Sequence, residues 1–283
     1  KRAKTFRCEQ QVQALPLGII QWFGRCGIDR KKNERLLTMK HDTKDTTILI
    51  LYRGDSIERL ENVIAVTNYL HSHLDINICV REAAPLCNKI LPRMIAPDIK
   101  YEFVEDDDPT LYKTWHFNEM IKCVGTRFVG IWDADVIADS DAVIECINQL
   151  RAGTAQLALP YNGVCLDTSS IIRNVYMKTN DYGVLKRQMQ KMRRLQNHVL
   201  TGGAVLMNRD TFSLLGNENE NYYGWGDDDF DRYIRFLNGG YDIFRSNTVL
   251  FHLSHQRGQN SRFSSKLKEL YSKAELSRTK RAL

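Results

Sequence analysis

The sequence predicts an α/β fold, in which helices cover both faces of a mostly parallel sheet. Short apolar runs rich in β-branched residues alternate with helical patterns from Thr46 onward. The spacing of these patterns is typical of parallel strands joined by helices. With 283 residues and 43% hydrophobic content, the chain can bury the core of one large domain.

The first half of this domain begins with a strand and a capped helix. Thr47–Leu51 is an apolar run that predicts a fully buried strand, and Asp55 or Ser56 can cap the helix that follows. The later elements of this half are predicted as strands at Ile76–Val80, Tyr101–Val104 and Arg127–Trp132, with a helix at 110–124.

The second half continues with helices, a strand and loops. The predicted order is a helix at 140–151, a strand at Gln156–Leu159, a polar loop to residue 183, a basic helix, the Gly202–Gly203 segment and a helix at 228–238. Residues 1–45 are expected to form a peripheral extension with a short helix at Leu15–Trp22. Residues 46–262 form the main domain, and residues 263–283 a basic C-terminal helix.

The net charge of +6 is concentrated at both ends of the chain and between residues 186 and 194. Solvated helix faces explain such runs, and so does attraction to an anionic membrane leaflet or a phosphate-bearing acceptor. Nucleic acid is disfavoured because no recognition module or interleaved aromatic residues accompany the charge. A charged fraction of 26% is ordinary for a globular protein and excludes global disorder.

The seven cysteines include no CxxC pair and no metal-ligand spacing, which predicts reduced thiols in a cytosolic chain. No apolar run approaches the roughly 18 residues of a transmembrane helix. The chain opens on Lys1 rather than Met, which is compatible with removal of an upstream segment. We therefore expect a cytoplasmic protein, with peripheral contact at the inner face of the membrane as a further expectation.

Asp133 and Asp135 follow the fourth predicted strand, separated by one alanine. In parallel sheets the ligand crevice lies at the carboxyl ends of the strands, and Arg53 and Asp55 also follow a strand there. Alternate carboxylates at a strand end can reach a metal ion and a ribose hydroxyl or metal-bound water. The pattern favours a divalent cation at this edge of the sheet.

Two histidines, His252 and His255, follow a second apolar run at Thr248–Phe251. A lone histidine is more often structural, but two residues three positions apart can face one ion. Imidazole together with carboxylate and phosphate oxygens suits Mn²⁺ better than Mg²⁺, although Mg²⁺ stays an alternative.

The most informative motif is Gly224-Trp225-Gly226 followed by four carboxylates in the five positions 227–231. Like charges this close raise one another's pKa values, so they are typical of sites that handle a cation or a proton. A solvated helix start is the plain alternative. A calcium-binding EF-hand is excluded, because Arg232 stands where such a loop needs glycine. The glycines permit close backbone approach, and Trp225 offers a flat wall to a sugar.

This block resembles the acceptor and catalytic segment of the β-1,4-galactosyltransferase family and of related bacterial chondroitin-polymerase-like enzymes. The supporting residues are Thr201-Gly202-Gly203-Ala204, the Asn-rich stretch 217–221, the GWGDDDFD block and Gly239-Gly240. Upstream, Ile50–Leu60 is similar to the first nucleotide loop of that family and of family-2 glycosyltransferases. The resemblance covers residues 46–262. It implies a GT-A fold with a nucleotide-sugar half at 46–139 and an acceptor half at 140–262.

The resemblance also implies roles for single residues. Asp135, His255 and His252 would be metal ligands, and Asp229 the catalytic base with Asp228 beside it. The donor UDP-sugar would be contacted by Arg53, Asp55, Asp133, Gly203 and Trp225. Two departures from the family pattern are clear. Asp228 replaces a longer Glu, and the usual Phe-Asn-Arg ahead of the Asp pair is missing, so that Lys113 and Asn118 are the candidate substitutes.

The sequence therefore predicts a metal-dependent, inverting glycosyltransferase that moves a hexose or a derivative from a UDP-sugar to a glycan or lipid-linked glycan hydroxyl. Surface polysaccharide synthesis is the expected context. Two alternatives stay open. A nucleotidyltransferase also uses paired Asp residues and metal, although it normally needs a richer glycine loop than Gly54 alone offers. A non-catalytic protein that binds UDP-sugar or glycan is the other.

Overall fold

The computed structural model describes residues 5–6, 41–87 and 89–281. The strands are β1 (Thr5–Phe6), β2 (Asp42–Tyr52), β3 (Asp75–Ala84), β4 (Lys100–Glu105), β5 (Phe128–Asp133), β6 (Val136–Ile137), β7 (Leu157–Leu159), β8 (Cys165–Asp167), β9 (Arg193–Arg194), β10 (Ala204–Asn208), β11 (Ile243–Arg245) and β12 (Leu250–His252). The helices are α1 (Ile57–His73), α2 (Leu91–Met94), α3 (Lys113–Ile121), α4 (Ser140–Ala152), α5 (Ser170–Thr179), α6 (Tyr182–Gln188), α7 (Arg209–Leu214), α8 (Asp228–Asn238) and α9 (Lys266–Arg281).

The main sheet has eight strands in the order β1-β4-β3-β2-β5-β10-β7-β11. Its central strands β4, β3, β2 and β5 are parallel to one another, whereas β10 runs antiparallel to β5 and to β7. Ile48, Leu49 and Ile50 of β2 have no exposed surface, because β2 is paired on both sides and covered on both faces. The α/β class with a mostly parallel sheet is confirmed.

A second sheet of four strands, in the order β6-β12-β8-β9, was not predicted. Strand β12 is antiparallel to β6 and parallel to β8, so His252 lies opposite both Val136 and Asp167. Strands of two or three residues leave little periodicity in a sequence, which explains why this sheet was missed. It fixes the histidine segment beside the residues that follow β5.

The helix ends follow ordinary capping chemistry. The hydroxyl of Ser56 accepts a hydrogen bond from the amide of Arg59 at the start of α1. Asp139 caps α4, which ends at Gly153 in the left-handed conformation with φ 75°. Helix α8 spans the predicted residues 228–238.

Several boundaries differ from the prediction. Strand β2 begins at Asp42 rather than near Thr46, through an irregular register ahead of Thr47. The helix predicted at 110–124 is shorter because the segment before Lys113 turns on the Asp108 carboxylate. The basic segment is helical only to Lys191, after which Arg193–Arg194 forms β9.

Helix α9 occupies most of the predicted C-terminal segment. Strand β1 of the N-terminal extension adds to the edge of the main sheet, antiparallel to β4. The helix predicted at Leu15–Trp22 lies outside the described residues, and the division of the domain into two halves stays a prediction. Within the part of the chain that the structure describes, no helix is long and apolar enough to cross a bilayer.

Candidate functional site

The candidate site lies at the carboxyl end of β5, where strand and loop segments from distant parts of the chain meet. The amide of Asp133 donates a hydrogen bond of 2.8 Å to the carbonyl of Gly203. Gly203 has a φ of 82°, a conformation that L side chains rarely adopt. A Cβ atom at this position would lie 3.9 Å from the Asp133 carboxylate. Gly203 therefore lies beside Asp133.

Asp135, His252 and His255 form a cluster that could hold a metal ion. Asp135 Oδ2 lies 3.0 Å from His255 Nε2 and 3.7 Å from His252 Nε2. One ligand atom from each of the three residues lies within 4.8 Å of the others. The sequence predicted these three residues as ligands, and the structure brings them together.

The outer nitrogens of both imidazoles are held by other groups. His252 Nδ1 donates to Asp167 Oδ1 at 2.7 Å, and His255 Nδ1 donates to the carbonyl of Gln256 at 2.9 Å. Since Nδ1 is the donor in each ring, Nε2 points into the cluster as the potential ligand atom. Orientation by a carboxylate or a carbonyl is the usual arrangement around metal-binding histidines. Asp167 was not predicted, because its link to His252 arises only from the second sheet.

The electrostatics of this cluster favour a positive charge at its centre. Burial alone would raise the pKa of Asp135, but His252 and His255 outweigh it and hold that pKa at about 2. Burial would lower the pKa of His252, but the negative charges of Asp135 and Asp167 raise it by more, so the net shift of this pKa is upward. A proton is thus stabilised where a divalent cation would also be stabilised.

A second cluster joins Lys113 to Asp228 and Asp229, the first two residues of α8. Lys113 Nζ lies 2.7 Å from Asp228 Oδ2 and 3.6 Å from Asp229 Oδ2. Asp228 is 2% exposed, whereas the side chain of Asp229 is 30% exposed. Asp229 also accepts a hydrogen bond of 3.0 Å from Arg232. Of these two carboxylates, Asp229 is the one that a substrate can reach.

Lys113 interacts with Asp133, Asp228 and Asp229, and the pKa values of these three carboxylates are shifted in different directions. Burial raises the pKa of Asp228 to about 6 despite the opposing effect of Lys113. Burial also raises the pKa of Asp133, to about 7, again against Lys113. Burial acts in the same direction on Asp229, but Lys113 and Arg232 together lower its pKa. Asp229 is therefore the carboxylate most firmly held in the ionised form.

Gly202 and Gly203 lie between the carboxylate cluster and Asp133. A Cβ atom at Gly202 would lie 2.1 Å from Asp229 Oδ2, so only glycine lets the carboxylate approach the chain this closely. The carbonyl of Gly202 accepts a hydrogen bond from the buried Tyr161 hydroxyl at 2.5 Å. The neighbouring Gly203 contacts Asp133, so the glycine pair spans the space between Asp133 and Asp229.

Arg53 and Asp55 lie at the same sheet edge, after β2, but their side chains have protein partners. Arg53 is 9% exposed, and its guanidinium donates to the carbonyls of Ala83 at 3.0 Å and Asp108 at 2.6 Å and pairs with Asp106. These bonds orient the loop after β4. Asp55 pairs with Arg59 at 3.1 Å and stays partly exposed.

Asn118 is also committed to protein contacts. Its amide nitrogen donates to the carbonyl of Glu218 at 3.0 Å and to the Glu220 carboxylate at 2.8 Å. Its amide oxygen accepts from the Glu218 backbone at 2.9 Å. Asn118 thereby fixes the loop that leads to the Gly-Trp-Gly turn. Lys113 of the same helix reaches the carboxylates of α8, so the two candidate substitutes have different surroundings.

Trp225 is 44% exposed and makes an edge contact with Phe263 at a ring separation of 4.8 Å. It borders a cavity of about 250 Å³ between the Asn221–Gly226 segment and helix α9. The indole is therefore accessible from this cavity, and its contact with a sugar stays a prediction.

Helix α9 holds the acidic block in place. The Ser272 hydroxyl accepts a hydrogen bond of 2.9 Å from the amide of Asp227 and donates one of 2.7 Å to its carboxylate. At the far end of α8, the Asn238 amide donates to the carbonyl of Thr279 at 2.7 Å. Both ends of α8 are thus tied to the C-terminal helix.

Part of this site lies in a segment that matches a known protein family. Residues 185–257 match the family described as N-terminal domain of galactosyltransferase, a segment that holds the glycine pair, the acidic block and both histidines. No curated protein matches the sequence. The fold is similar to that of the mannosyltransferase PcManGT from Pyrobaculum calidifontis, solved with GDP-Man and Mn²⁺. The TM-score is 0.50 and the identity 16%, over 85% of this chain and 68% of that one. The chain has the GT-A fold of that enzyme.

Two further glycosyltransferase structures are similar at lower scores. The catalytic domain of Drosophila β1,4-galactosyltransferase 7, solved with xylobiose, has a TM-score of 0.49 and 15% identity over 80% of this chain and 78% of that one. Glucosyl-3-phosphoglycerate synthase from Mycobacterium tuberculosis, solved with Mn²⁺, UDP and phosphoglyceric acid, has a TM-score of 0.47 and 12% identity. That alignment covers 76% of this chain and 72% of that one.

Sequence reasoning missed two further buried charged residues near this site, Arg232 and Glu82. Arg232 is fully buried and bridges Glu218 to Asp229, and its spacing of three residues from Asp229 on one helix is the signal that could have found it. Glu82 at the end of β3 is fully buried, and its carboxylate accepts a hydrogen bond from Tyr101 at 2.7 Å. Nothing in the local sequence distinguishes Glu82 from an ordinary strand residue.

Proposed function

We propose that this protein is a glycosyltransferase that moves a hexose or a derivative from a UDP-sugar to a hydroxyl of a glycan or lipid-linked glycan, with inversion at the anomeric carbon. The observation that carries the proposal is the position of Gly202 and Gly203. The pair touches Asp229 on one side and Asp133 on the other, and Asp135 follows Asp133 by two residues. A sugar diphosphate bound along this edge would have a cation site at one end and a carboxylate base at the other.

The residues of the chain supply the base and its orientation. Asp229 accepts the proton of the acceptor hydroxyl as the new bond from that oxygen to the anomeric carbon forms. The bond from the anomeric carbon to UDP breaks, and UDP leaves with its electron pair. Arg232 and Lys113 keep the Asp229 carboxylate ionised and oriented, so it is ready to accept a proton before the acceptor binds.

Asp228 has a supporting role in this proposal. It is almost fully buried against Lys113, so it holds the lysine close to Asp229 and does not contact the acceptor. The shorter side chain relative to the Glu of the related family fits this inward position.

Asp135, His252 and His255 fit a divalent cation. Both imidazoles present Nε2 to the same point as a carboxylate oxygen, and both are held in that orientation from outside the cluster. Two nitrogen ligands favour Mn²⁺ over Mg²⁺. A cation bound there would neutralise negative charge on the departing diphosphate.

The nucleotide is proposed to lie along the ends of β2, β3 and β5. Asp133 and Gly203 line this edge beside the cation site, Asp55 remains partly exposed, and Glu82 lies at the end of β3. Arg53 and Asn118 are proposed to act through the loops that they orient, because their polar atoms already have protein partners. Trp225 is proposed to form the wall against which a sugar ring packs.

The acceptor belongs to surface polysaccharide synthesis in this proposal, and the enzyme works at the inner face of a membrane. The basic segments of the chain support this setting, because a net charge of +6 attracts an anionic leaflet or a phosphate-bearing glycan lipid.

A panel of UDP-sugars tests the function. With Mn²⁺ present, the correct donor at a hundredfold excess over its Kd should stabilise the fold by about 2.7 kcal/mol in a thermal-shift assay. NMR of the product made from that donor should show the inverted anomeric configuration, and retention would contradict the mechanism. In titration calorimetry, His255→Ala should abolish Mn²⁺-dependent UDP binding, whereas the exposed His198→Ala control should bind like the wild type.

Two other outcomes would replace the proposal. Release of pyrophosphate from the nucleotide sugar's precursors would identify a nucleotidyltransferase. Metal-dependent UDP binding without turnover of any UDP-sugar, with or without added glycans, would identify a binding protein.

A further inference from the structure

Helix α9 carries an exposed apolar stripe. Leu267, Leu270, Tyr271 and Ala274 follow one another at i, i+3, i+4 and i+7, a spacing that places them on one side of a helix. Leu267 is 59% exposed, Leu270 is 54% exposed and Tyr271 is 65% exposed. We call these four residues the α9 stripe. Among the described residues, none covers it.

The stripe is not the face by which α9 packs on the protein. Ser272 and Leu276 are the buried residues of the helix, and they lie on the side that faces α8. One face of α9 therefore already packs against the rest of the protein. A second apolar face, with two exposed leucines and a tyrosine, needs another partner.

Basic side chains border the stripe. Helix α9 has six basic residues and two acidic ones, which gives it a net charge of +4. Lys266 and Lys273 lie along one border of the stripe, with side chains 74% and 60% exposed, and share Glu269 as their ion-pair partner. Arg278, Lys280 and Arg281 extend the positive charge to the end of the helix.

We infer that the α9 stripe docks this enzyme onto the surface of an anionic lipid bilayer. Leu and Tyr side chains can enter the membrane interface while neighbouring lysines contact anionic headgroups. Charge complementarity selects this occupant over the two others that the chain offers. A second copy would bring a helix of charge +4 against one of charge +4, and segment 7–40 has seven basic and three acidic residues, so both would be repelled.

Docking in this way would place the cavity that Trp225 borders at the bilayer. Tyr271 and Ala274 belong both to the stripe and to the wall of the cavity that Trp225 borders. A membrane held against the stripe is therefore next to the cavity in which a sugar ring is proposed to pack against Trp225. This part of the inference rests on the proposed function, and it selects lipid-linked glycans over soluble ones as acceptors.

Vesicle sedimentation of the full chain tests the inference. The protein should sediment with vesicles of phosphatidylcholine and phosphatidylglycerol and stay in solution with phosphatidylcholine alone. Leu267→Ala combined with Leu270→Ala should weaken binding on the order of ten-fold or more, because the leucines lose most of their buried apolar surface. The control Leu214→Ala changes a leucine that is 77% exposed on α7, and it should bind like the wild type.

A matched pair of charge variants tests the basic border. Lys266→Gln should weaken binding to the anionic vesicles about five-fold, because a basic residue near the surface contributes about 1 kcal/mol. Lys122 makes the same kind of exposed ion pair, with Glu119 three residues away, so Lys122→Gln should leave binding unchanged. Equal effects of the two substitutions would show attraction by total charge and would overturn docking through α9.

Other results would also overturn the inference. They are the absence of wild-type sedimentation with anionic vesicles, and undiminished binding by the double leucine variant. A dimer in analytical ultracentrifugation that dissociates in the double leucine variant would assign the stripe to a second copy instead. Mn²⁺-dependent UDP binding, measured in the same samples, separates the two proposals. If the wild type shows no Mn²⁺-dependent UDP binding, the proposed function is contradicted. If the wild type binds UDP but not vesicles, only docking through the α9 stripe is contradicted.

Discussion

Two clusters in this protein compensate buried negative charge in different ways. One is the cation cluster of Asp135, His252 and His255, and the other is the carboxylate cluster of Asp228 and Asp229. Both gather acidic side chains in largely buried surroundings. The carboxylate cluster contains its own cation, since Lys113 lies 2.7 Å from Asp228. The cation cluster contains imidazoles whose inward nitrogens can take up either a proton or a metal ion.

This difference separates the tasks that each cluster can perform. A built-in lysine helps to keep the Asp229 carboxylate ionised, as the proposed role of a base requires. A cluster of Asp and His leaves the cation exchangeable, which suits a metal ion that arrives with a diphosphate.

Asp229→Asn should lower turnover by about 10²–10⁴-fold, because the amide cannot accept the acceptor proton. Mn²⁺-dependent UDP binding should remain nearly intact, since the substitution lies in the carboxylate cluster. Steady-state kinetics and calorimetry check the two parts. Asp210→Asn, at a position 85% exposed on its side chain, is the control. Unchanged turnover in Asp229→Asn would remove this residue from the role of base.

Gly202→Ala should lower turnover by about 10²-fold, because the added methyl group would lie 2.1 Å from the Asp229 carboxylate and must displace it. Gly125→Ala is a matched control, since no atom lies within 4 Å of the Cβ it would add. Circular dichroism and the melting temperature should be measured to check that both variants fold. Wild-type turnover in Gly202→Ala would show that the position of Asp229 does not limit the reaction.

Asp167→Asn should weaken Mn²⁺ affinity by about 10–100-fold, because the carboxylate that orients His252 is lost. Turnover should recover at high Mn²⁺ concentration, which a loss of the base would not allow. Asp98→Asn removes a carboxylate that contacts His71 on the surface and should not change metal affinity. Equal Mn²⁺ titrations for both variants would show that His252 is not a ligand.

Asp228→Asn should change how stability depends on pH. The folded-state pKa of Asp228 is about 6, above the ordinary 3.8, so the folded state binds more protons than the unfolded state between these values. Its contribution to stability is therefore lost as pH rises from about 4 to about 6. The variant should gain on the wild type over this window, by about 2 kcal/mol.

Urea denaturation at several pH values measures this gain. Asp45→Asn is a control of opposite sign, because Arg151 lowers the pKa of Asp45 and its contribution is lost as pH falls. A constant difference between the wild type and Asp228→Asn across the window would contradict the shifted pKa.

The central sheet could be predicted because its strands are long and buried on both faces. Thr47–Leu51 consists of β-branched and leucine side chains, and in the structure Ile48, Leu49 and Ile50 are completely buried. Helix 228–238 was also predicted correctly, because a glycine turn and an acidic first turn mark its start. The second sheet could not be predicted, because its short strands are stabilised only by partners distant in sequence.

The candidate site was predicted unevenly for a related reason. Asp135 and the two histidines stand out by residue type and spacing, and the structure places them together. Arg53 and Asn118 stand out equally, yet their polar groups are occupied by the protein itself. Spacing identifies which residues can bind a ligand, whereas the bonds that satisfy a buried polar group depend on which chain segments meet.

The sequence by itself determined the chemistry of this protein: an acidic block after a Gly-Trp-Gly turn, a carboxylate pair after a strand, and a pair of histidines. Tertiary structure alone decided that Asp229 is partly exposed and that Asp228 is buried against Lys113. It also decided that Asp167 orients His252 and that one face of α9 remains exposed. Composition and spacing are local properties of the chain, but burial and charge balance depend on contacts between segments a hundred residues apart.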